Sequence, residues 1–384
     1  MKKIVVMGLF TDPNQGDPLI HRTVKELYTR CSEEKIEWKD VNFRFFFEGL
    51  PRKFAIHVAK KLFYKVKRLA VRFNSKFLYN VQIKILAYCM AQHFKGCDGV
   101  LLVGGGVIHY KFHDYWITIS ASLLACKKLN IPMLINAIGI EGFDEKNPKC
   151  QLLSKYMRVG SLRFISTRDD VTTLKEKYLK GDTSVYVTKV IDPVIFCSKL
   201  FDVKVQKEGV VGVGLLWKNF MKKYREKITV ADLRKYYIDV VEELERRNIR
   251  WEFFTNGLET DTDLIPDLEE HFKRKFEVRI PHDTDEFMSM IASYRGIITA
   301  RMHGCITAYS FDVPAVAYNW VEKVGFWFQN IHHPERTILL DNLDGSMAVQ
   351  RFLTAEKEGY EADLRKELEE NHLKSIKKAL EFIR

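Results

Sequence analysis

Short, largely apolar runs of strand length alternate along the chain with longer segments that have the apolar spacing of helices. The runs span four to eight residues and lie at 3–10, 99–103, 132–137, 163–166, 184–188, 210–216, 251–255, 277–280, 296–299 and 315–318. Strands that are apolar throughout are buried on both faces, and the helices between them supply the crossovers of a parallel sheet. The sequence therefore predicts an α/β protein built from repeated βα units.

The length of the chain predicts two domains of this type. A domain usually contains about 100–200 residues, and this chain has 384. The pattern pauses between Asp192 and Glu208, so we predict one Rossmann-like domain over 1–195, a second over 208–330 and a C-terminal extension over 331–384. The end of the extension, 355–384, is predicted as a charged amphipathic helix. Such domains bind ligands beyond the carboxyl ends of their strands, so we expect the two to face a cleft.

Cysteine spacing and hydropathy bear on the cellular compartment. The seven cysteines include no Cys-x-x-Cys pair, and most lie in apolar segments, as the reduced thiols of cytosolic proteins do. No uncharged apolar run approaches the ~20 residues that cross a bilayer. The first residues, Met-Lys-Lys-Ile-Val-Val, predict a strand and not a signal peptide. We therefore expect a soluble cytoplasmic protein.

The formal net charge of +11 originates in one segment. Of the 61 Lys and Arg residues, eleven lie between Gly49 and Cys97, where no Asp or Glu occurs, so the rest of the chain is formally neutral. Over 54–77 the cations alternate with bulky apolar residues, which is typical of a basic amphipathic helix. We predict this helix as an insertion in the first domain, over about 52–77.

The basic insertion has more than one interpretation. Its cations can simply be solvated, or they can bind an anionic membrane surface, where each contributes about 1 kcal/mol. Nucleic acid attracts the same charge. No recognised nucleic-acid-binding motif accompanies the insertion, so we predict no nucleic-acid partner. The solvated and the membrane-bound interpretations both stay open.

The loop after the first predicted strand is one candidate ligand site. Asn14, Gly16 and Asp17 favour a tight turn into a helix, and Asp17 can cap that helix. The backbone N–H groups of such a turn can bind an anion or another polar ligand. A plain strand–helix connection fits the same spacing.

A second candidate is the run Gly104-Gly105-Gly106, which follows an apolar strand. Three glycines allow the backbone to approach a phosphate or a sugar closely. The run lacks the Gly-x-Gly-x-x-Gly spacing of a dinucleotide site. His109 and His113 are four residues apart, but no third metal ligand is evident beside them, so we predict no metal site.

The loop over 297–305 carries the strongest candidates for chemistry. Arg301 and His303 lie where a buried strand is predicted to enter a helix, and the helix dipole and free N–H groups there favour anions. Both side chains need polar partners if they are buried. Lys323, beyond the next strand, can reach an anion at the same sheet edge or can simply be exposed.

The order of these elements resembles that of the polysaccharide pyruvyl transferase family. The matching segments are Asn14-Gln15-Gly16-Asp17, Val103-Gly104-Gly105-Gly106, Ser166-Thr167-Arg168-Asp169-Asp170, Asp192-Pro193, Arg301-Met302-His303-Gly304 and Val313-Pro314-Ala315-Val316-Ala317-Tyr318. They span about the first 330 residues. Two features depart from the family pattern. Pro18 occupies a position that is often acidic, and the segment from Tyr318 to Lys323 is longer than the commoner Tyr-Asp-Pro-Lys form.

The resemblance implies a glycosyltransferase-B-like fold and a reaction without a cofactor. In that reaction pyruvate passes from phosphoenolpyruvate to two hydroxyls of a sugar, forming a ketal and releasing phosphate. His303 is implied as the group that transfers protons, with Arg301 as a second catalytic residue. Arg168, Arg301 and Lys323 are implied as ligands of the donor's phosphate and carboxylate. For Arg168, an ordinary helix-start role beside Asp169 stays open.

The resemblance also implies the acceptor. Its hydroxyls are expected near Asn14, Asp17 and the Gly104-Gly105-Gly106 turn of the first domain. The acceptor is a cell-surface glycan, such as an exopolysaccharide or capsule, or its lipid-linked oligosaccharide precursor. We therefore expect the protein in the cytoplasm, with peripheral contact to the inner face of the cell membrane through 52–77.

Two other classes of protein stay open at this point. A nucleotide-sugar-dependent glycosyltransferase would share the architecture and have a similar phosphate site in its second domain. A non-catalytic glycan-assembly factor would keep the fold without the reaction. The joint presence of Arg168, Arg301, His303 and Lys323 favours an enzyme over the second of these.

Overall fold

The chain folds into two compact units, each built on a parallel β-sheet. The structure is a computed structural model that describes residues 1–44, 47–48, 50, 54–110, 114–140, 142–218 and 228–383. The first unit comprises Met1–Thr11, Ile20–Ile191 and Glu370–Arg384, and the second comprises Asp12–Leu19 and Asp192–Glu369. Residues 12–19, placed in the N-terminal domain by the sequence analysis, are grouped by their contacts with the second unit.

The first unit contains a six-stranded sheet in the order β2-β1-β3-β4-β5-β6. Its strands are β1 (Lys2–Gly8), β2 (Ile36–Asn42), β3 (Gly99–Val103), β4 (Met133–Ile138), β5 (Leu162–Thr167) and β6 (Tyr186–Lys189). The helices along this part of the chain are α1 (Gly16–Cys31), α2 (Phe54–Phe73), α3 (Lys76–Phe94), α4 (Tyr115–Leu129) and α5 (Pro148–Met157). A π-helical segment, Thr173–Tyr178, precedes β6.

The central strands of the first sheet are buried on both faces. The strands β3 and β4 are buried along their whole length, and β1 is buried from Ile4 onward. Apolar side chains on both faces of a strand require cover on both faces, which helices between parallel strands provide. Helix α4 is itself buried on most of its surface, with Trp116 and Leu123 fully inaccessible. The predicted parallel α/β arrangement is confirmed for this unit.

The second unit contains another six-stranded parallel sheet, in the order β12-β11-β10-β7-β8-β9. Its strands are β7 (Val211–Gly214), β8 (Trp251–Phe254), β9 (Val278–Arg279), β10 (Gly296–Thr299), β11 (Ala315–Asn319) and β12 (Thr337–Leu339). The helices are α6 (Cys197–Leu200), α7 (Val230–Arg246), α8 (Ile265–Phe272), α9 (Thr284–Ser293), α10 (Met302–Ser310), α11 (Glu322–Asn330) and α12 (Gly345–Glu358), and α13 (Ala362–Leu380) continues into the first unit. Short 3₁₀ turns are Pro193–Phe196, Glu259–Thr262, Pro334–Arg336 and Leu340–Asn342.

The strand order of the second unit determines which loops can meet. Strand β7 pairs with β10 on one side and with β8 on the other. The carboxyl ends of parallel strands lie at the same sheet edge, so the loops after β8 and β10 lie on either side of the end of β7. The residues after β8 and the residues after β10 are therefore expected to contact one another.

The strands that the sequence analysis did not predict, β2 and β12, are edge strands. Each forms the end of its sheet. In β2 the buried positions are Ile36 and Val41, and the other residues are largely polar. An edge strand needs few apolar residues because one side of its backbone is not paired within the sheet. The apolar signal that marks the central strands is therefore missing from β2, whereas β12 is apolar but has only three residues.

Two predicted helices are shorter in the structure than in the sequence analysis. The basic helix ends at Phe73 and not at Phe77, because Asn74 has a left-handed conformation (φ 42°) and Ser75 caps the next helix, α3. The single helix expected over 355–384 is wrong. Gly359, with φ 68°, ends α12, and a separate helix begins at Ala362.

A buried histidine of the first unit makes stability depend on pH. His372 is completely buried on α13, and its Nδ1 donates a hydrogen bond of 2.8 Å to the carbonyl oxygen of Ile191. Burial lowers the pKa of His372 from 6.5 to about 4. Between these values the unfolded chain binds a proton that the folded chain does not, so stability increases with pH across this window.

We expect the melting temperature to fall as the pH is lowered from 7 to 4.5, with His372 contributing at most about 3 kcal/mol. His372→Asn should flatten this dependence, because its amide can donate to the same carbonyl oxygen but does not titrate. Thermal unfolding at stepwise pH measures both slopes. Equal slopes for the variant and the wild type would refute the assignment.

Candidate functional site

The start of helix α10 holds the two residues that the sequence analysis favoured most. Strand β10 is buried and ends at Thr299, and Arg301 is the N-cap of the helix that begins at Met302. The backbone N–H of Arg301 donates to Thr299 Oγ1 at 3.2 Å, which fixes the turn between strand and helix. His303 consequently lies in the first helical turn, where backbone N–H groups have no partner within the helix. This end of the helix favours a negative charge.

His303 lies beside a buried carboxylate. Its Nε2 is 3.7 Å from Oδ2 of Asp192, which is 1% exposed. The other carboxylate oxygen of Asp192 accepts a hydrogen bond of 3.0 Å from the backbone N–H of Val194 and caps the turn Pro193–Phe196. The imidazole and this carboxylate are therefore within ion-pair distance of each other.

The position of the His303 ring is also determined by a glycine. A Cβ atom placed on Gly16 would lie 2.1 Å from His303 Nδ1 and 2.4 Å from Cγ. The imidazole therefore occupies the space that a side chain at position 16 would need. Gly16 is required here for close approach, and a larger residue would displace the ring.

The loop before α1 is attached to the second unit by its backbone. The N–H of Gln15 donates to the carbonyl oxygen of Asn256 at 2.8 Å. Gly257 has φ 101°, and a Cβ there would lie 2.2 Å from the carbonyl oxygen of Pro13. These contacts place Asn14 and Asp17 in the same unit as His303. Both were predicted from the sequence as acceptor ligands, together with the glycine turn after β3.

Two side-chain amides near His303 have buried oxygen atoms. Asn14 Oδ1 and Asn256 Oδ1 are both inaccessible, and neither has a hydrogen-bond partner among the residues that the structure describes. The backbone of α10 lies close to the second oxygen, because a Cβ on Gly304 would be 3.4 Å from it. Buried polar atoms are nearly always hydrogen-bonded. The two amides are therefore candidates for binding a polar ligand beside His303.

Arg301 is paired with an aspartate that the sequence analysis did not identify. Its Nε donates to Oδ2 of Asp261 at 2.8 Å, and its Nη2 contacts Oδ1 of the same carboxylate. Asp261 is completely buried and also accepts the backbone N–H of Trp217 at 3.1 Å. The guanidinium is thus fixed and its charge is compensated, while its Nη1 group takes no part in the pair. The sequence does contain a pattern that could have indicated Asp261. The polar residues after β8 lie at the carboxyl end of that strand, which is the same sheet edge as Arg301.

Lys323 follows the neighbouring strand. It is half-buried in the first turn of α11, and β11 before it pairs with β10. The loops that carry Arg301 and Lys323 therefore leave adjacent strands at the same sheet edge. The predicted position of Lys323 near the anion site stays a prediction.

The remaining predicted residues lie in the first unit. Gly104, Gly105 and Gly106 follow β3, and the carbonyl oxygen of Gly105 accepts the N–H of Gly139 at 2.9 Å. A Cβ on Gly139 would be 3.1 Å from the Cα of Gly106. The glycine turn therefore packs against the backbone that follows β4. Close packing within the protein accounts for part of the need for glycine that the sequence analysis assigned to a ligand.

Arg168 is buried directly after β5. It is 5% exposed, and its backbone N–H donates to the carbonyl oxygen of Ile138 at 3.1 Å. On the adjacent strand Ala137 has φ 51°, a conformation that costs energy for any residue except glycine. Next to it, Asn136 Nδ2 is buried without a hydrogen-bond partner in the described part of the chain. Strain and an unsatisfied amide mark the ends of β4 and β5 as a second candidate ligand site.

Two parts of the described chain bear on metal ligation. His109 is buried with its ring 5.3 Å from that of Tyr115, and His113 lies outside the described residues. Within the described ranges, one group has the spacing of metal ligands: His333, Glu335 and Glu358. The guanidinium of Arg336 lies 3.6 Å from both of these carboxylates, so a positive charge is already present there.

Asp261 is expected to stabilise the fold through Arg301. Asp261→Asn keeps the size of the side chain but removes the negative charge, which leaves a largely buried guanidinium uncompensated. We expect a loss of about 3 kcal/mol in the free energy of unfolding, measured by urea denaturation. Asp263→Asn is the matched control. Its carboxylate accepts the backbone N–H of Lys218 at 2.9 Å, and an amide can replace that acceptor. Equal losses in both variants would contradict this role for Asp261.

Comparison with known proteins gives both a family and a fold. A family model described as "Polysaccharide pyruvyl transferase" matches residues 14–321. No curated protein matches the chain in sequence. The UDP-N-acetylglucosamine 2-epimerase of Rickettsia bellii is 14% identical, with 100% of this chain and 96% of that chain covered and a TM-score of 0.54. The UDP-GlcNAc 2-epimerase of Neisseria meningitidis, solved with UDP-GlcNAc bound, is 12% identical, with 100% and 99% covered and a TM-score of 0.53.

Because the sequence identities to these solved structures are low, the structural similarity supports a conclusion about the fold alone. It confirms the predicted fold class, an α/β protein with two Rossmann-like units of the glycosyltransferase-B type. No helix within the described ranges is long and apolar enough to cross a membrane.

Proposed function

The chain belongs to the polysaccharide pyruvyl transferase family and is an enzyme, and from this premise we propose that it transfers pyruvate from phosphoenolpyruvate to two hydroxyls of one sugar residue. The product is a pyruvate ketal, and inorganic phosphate is released. The acceptor is a cell-surface polysaccharide or its lipid-linked precursor. The observation that carries the proposal is the His303 imidazole, held between the buried carboxylate of Asp192 and the backbone of Gly16.

The reaction requires proton transfer at two kinds of atom. The methylene carbon of phosphoenolpyruvate takes up a proton and becomes a methyl group, which leaves an oxocarbenium-like centre at the carbon that bears the phosphate oxygen. One sugar hydroxyl adds to this carbon and loses its proton. The bond from carbon to the phosphate oxygen then breaks, and the second hydroxyl adds with loss of its proton. Histidine is suited to such transfers because it exchanges protons near neutral pH.

We assign the protonation of the methylene carbon to His303. The carboxylate of Asp192, 3.7 Å from Nε2, stabilises the imidazolium that must be present before the proton is delivered. The ring packs directly against the backbone of Gly16, which limits its movement on that side. Asp192 is a positioning residue in this account, because it acts through the imidazole.

Arg301 contributes to donor binding through a fixed guanidinium. Its Nε and Nη2 are occupied by Asp261, and Nη1 is left to donate to the phosphate or carboxylate of phosphoenolpyruvate. Because Asp261 already compensates the charge of Arg301, the donor needs further positive groups. The N-terminal N–H groups of α10, Lys323 and Arg168 are proposed to supply them. Fixed donors of this kind stabilise the departing phosphate without reorganisation.

The acceptor is proposed to contact the loop that carries Asn14 and Asp17. This loop lies in the unit of His303, and the buried oxygens of Asn14 and Asn256 have hydrogen-bonding capacity to offer to a polar substrate. The turn Gly104-Gly105-Gly106 stays a proposed acceptor contact of the first unit. No cofactor is needed for the proposed chemistry, because the donor brings its own leaving group.

Phosphate release from phosphoenolpyruvate tests this function. With synthetic glycosides or lipid-linked oligosaccharides as acceptors, we expect acceptor-dependent release that falls by about 10²- to 10⁴-fold in His303→Ala, because the general acid is removed. His282→Ala is the control, since His282 is exposed on the surface of the same unit. Phosphoenolpyruvate should still raise the melting temperature of His303→Ala, because this residue acts in proton transfer and not in donor binding.

Other outcomes would contradict the proposal. Undiminished turnover in His303→Ala would remove this residue from the chemistry. Thermal stabilisation by a nucleotide sugar, with none by phosphoenolpyruvate, would favour a nucleotide-sugar-dependent glycosyltransferase. Glycan production in cells that depends on the protein but is unaffected by His303→Ala would favour a non-catalytic assembly factor.

A further inference from the structure

Helix α2 presents a large surface that the core of the first unit does not use. Its buried side chains form one narrow stripe: Ile56, Phe63, Val66 and Ala70. At 100° per residue these four positions lie within about 80° of the helix circumference. The rest of the helix is mostly exposed and carries bulky apolar side chains as well as cations.

Bulky apolar residues form a second stripe beside the buried one. Val58, Leu62, Leu69 and Phe73 are spaced by four, seven and four residues, which places them along one line of the helix. Their exposed fractions range from 39% for Leu69 to 65% for Phe73. Phe77, in the first turn of the next helix, α3, is 73% exposed as well. Contiguous exposed apolar groups of this kind mark interaction surfaces.

Cations form a third stripe directly next to the apolar one. Lys61, Lys65, Arg68 and Arg72 are spaced by four, three and four residues, and all are exposed. None of these four is within ion-pair distance of a carboxylate in the part of the chain that the structure describes. Lys67, on another side of the helix, pairs with Asp114. The cationic stripe is therefore free to meet an external anionic surface.

We propose that this face of α2, defined by the apolar stripe and the cationic stripe, binds the surface of an anionic lipid bilayer. The helix would lie parallel to the membrane, with Leu62, Leu69 and Phe73 among the acyl chains and the lysines and arginines at the headgroups. The whole formal excess of +11 lies between Gly49 and Cys97, so the charge of the protein is complementary to such a surface at this one place.

The observations favour a bilayer over other partners. A nucleic acid would pair with the cations but would leave the aliphatic side chains Val58, Leu62 and Leu69 in water. A second copy of the chain would cover the apolar stripe but would bring two cationic stripes together. A bilayer would bury the apolar stripe among its acyl chains and pair the cationic stripe with its anionic headgroups. The inference rests on the surface of α2 and not on the proposed function.

Vesicle sedimentation of the full chain provides the test. The probes are phosphatidylcholine vesicles with and without about 30% phosphatidylglycerol, at about 0.1 M salt. Lys61, Lys65, Arg68 and Arg72 are changed together to Gln in one variant, and Leu62, Leu69 and Phe73 are changed to Ser in a second. The matched control changes four exposed lysines elsewhere to Gln: Lys127, Lys128, Lys204 and Lys366. All changed positions are exposed, and circular dichroism confirms that each variant is folded.

We expect the wild type to bind only the anionic vesicles. The partition constant should fall at least about 100-fold in the cation variant and at least about 10-fold in the apolar variant. The control should stay within about threefold of wild type, because none of its charges belongs to the cationic stripe of α2. Equal losses in the control and the cation variant would overturn the proposal, as would binding to uncharged vesicles alone. Binding of DNA or RNA without vesicle binding, or a dimer abolished by the apolar variant, would assign the surface to those partners instead.

Discussion

The close packing of the Gly16 backbone on the His303 imidazole is the constraint on which the candidate site depends. A side chain at position 16 would occupy the ring's own space, so the loop before α1 and the start of α10 are compatible only with glycine there. Gln15 and Gly257 hold that loop against the loop after β8, and β8 and β10 flank β7 in the sheet. The topology of the sheet, the glycine and the histidine therefore form one connected arrangement. Buried carboxylates complete it, since Asp192 faces His303 and Asp261 fixes Arg301.

The fold could be predicted where burial decides it. Strands such as β3 and β4 are apolar throughout because helices cover both of their faces, and this signal is readable without any knowledge of tertiary contacts. The edge strand β2 has no such pattern, because only Ile36 and Val41 are buried in it. The division of the chain was harder to predict. Contacts made by residues 12–19 with distant parts of the chain assign them to the second unit, and no local pattern encodes that choice.

The site could be predicted as far as local sequence places residues at strand ends. Arg301 and His303 follow an apolar strand and open a helix, and the structure has them there. Their partners could not be predicted in the same way. Asp261 lies 40 residues from Arg301 in sequence, and one of several acidic residues after β8 had to be selected by geometry. The contact between Asp192 and His303 could likewise not be predicted, because it depends on where the fold places the turn Pro193–Phe196. Pairing of buried charges from distant segments depends on the tertiary structure, whereas the position of a strand end can be predicted from the local sequence.

The most direct measurement of the proposed reaction is mass spectrometry of an acceptor glycoside after incubation with phosphoenolpyruvate and the enzyme in D₂O. The account predicts an acceptor that has gained one pyruvate ketal with at least one deuterium in its methyl group. In the proposed mechanism this deuterium is delivered by His303, whose exchangeable proton is first replaced by deuterium from the solvent. A ketal methyl without deuterium would contradict protonation by a solvent-exchanging group. An acceptor that gains no pyruvyl group under conditions where phosphoenolpyruvate binds would contradict the reaction itself.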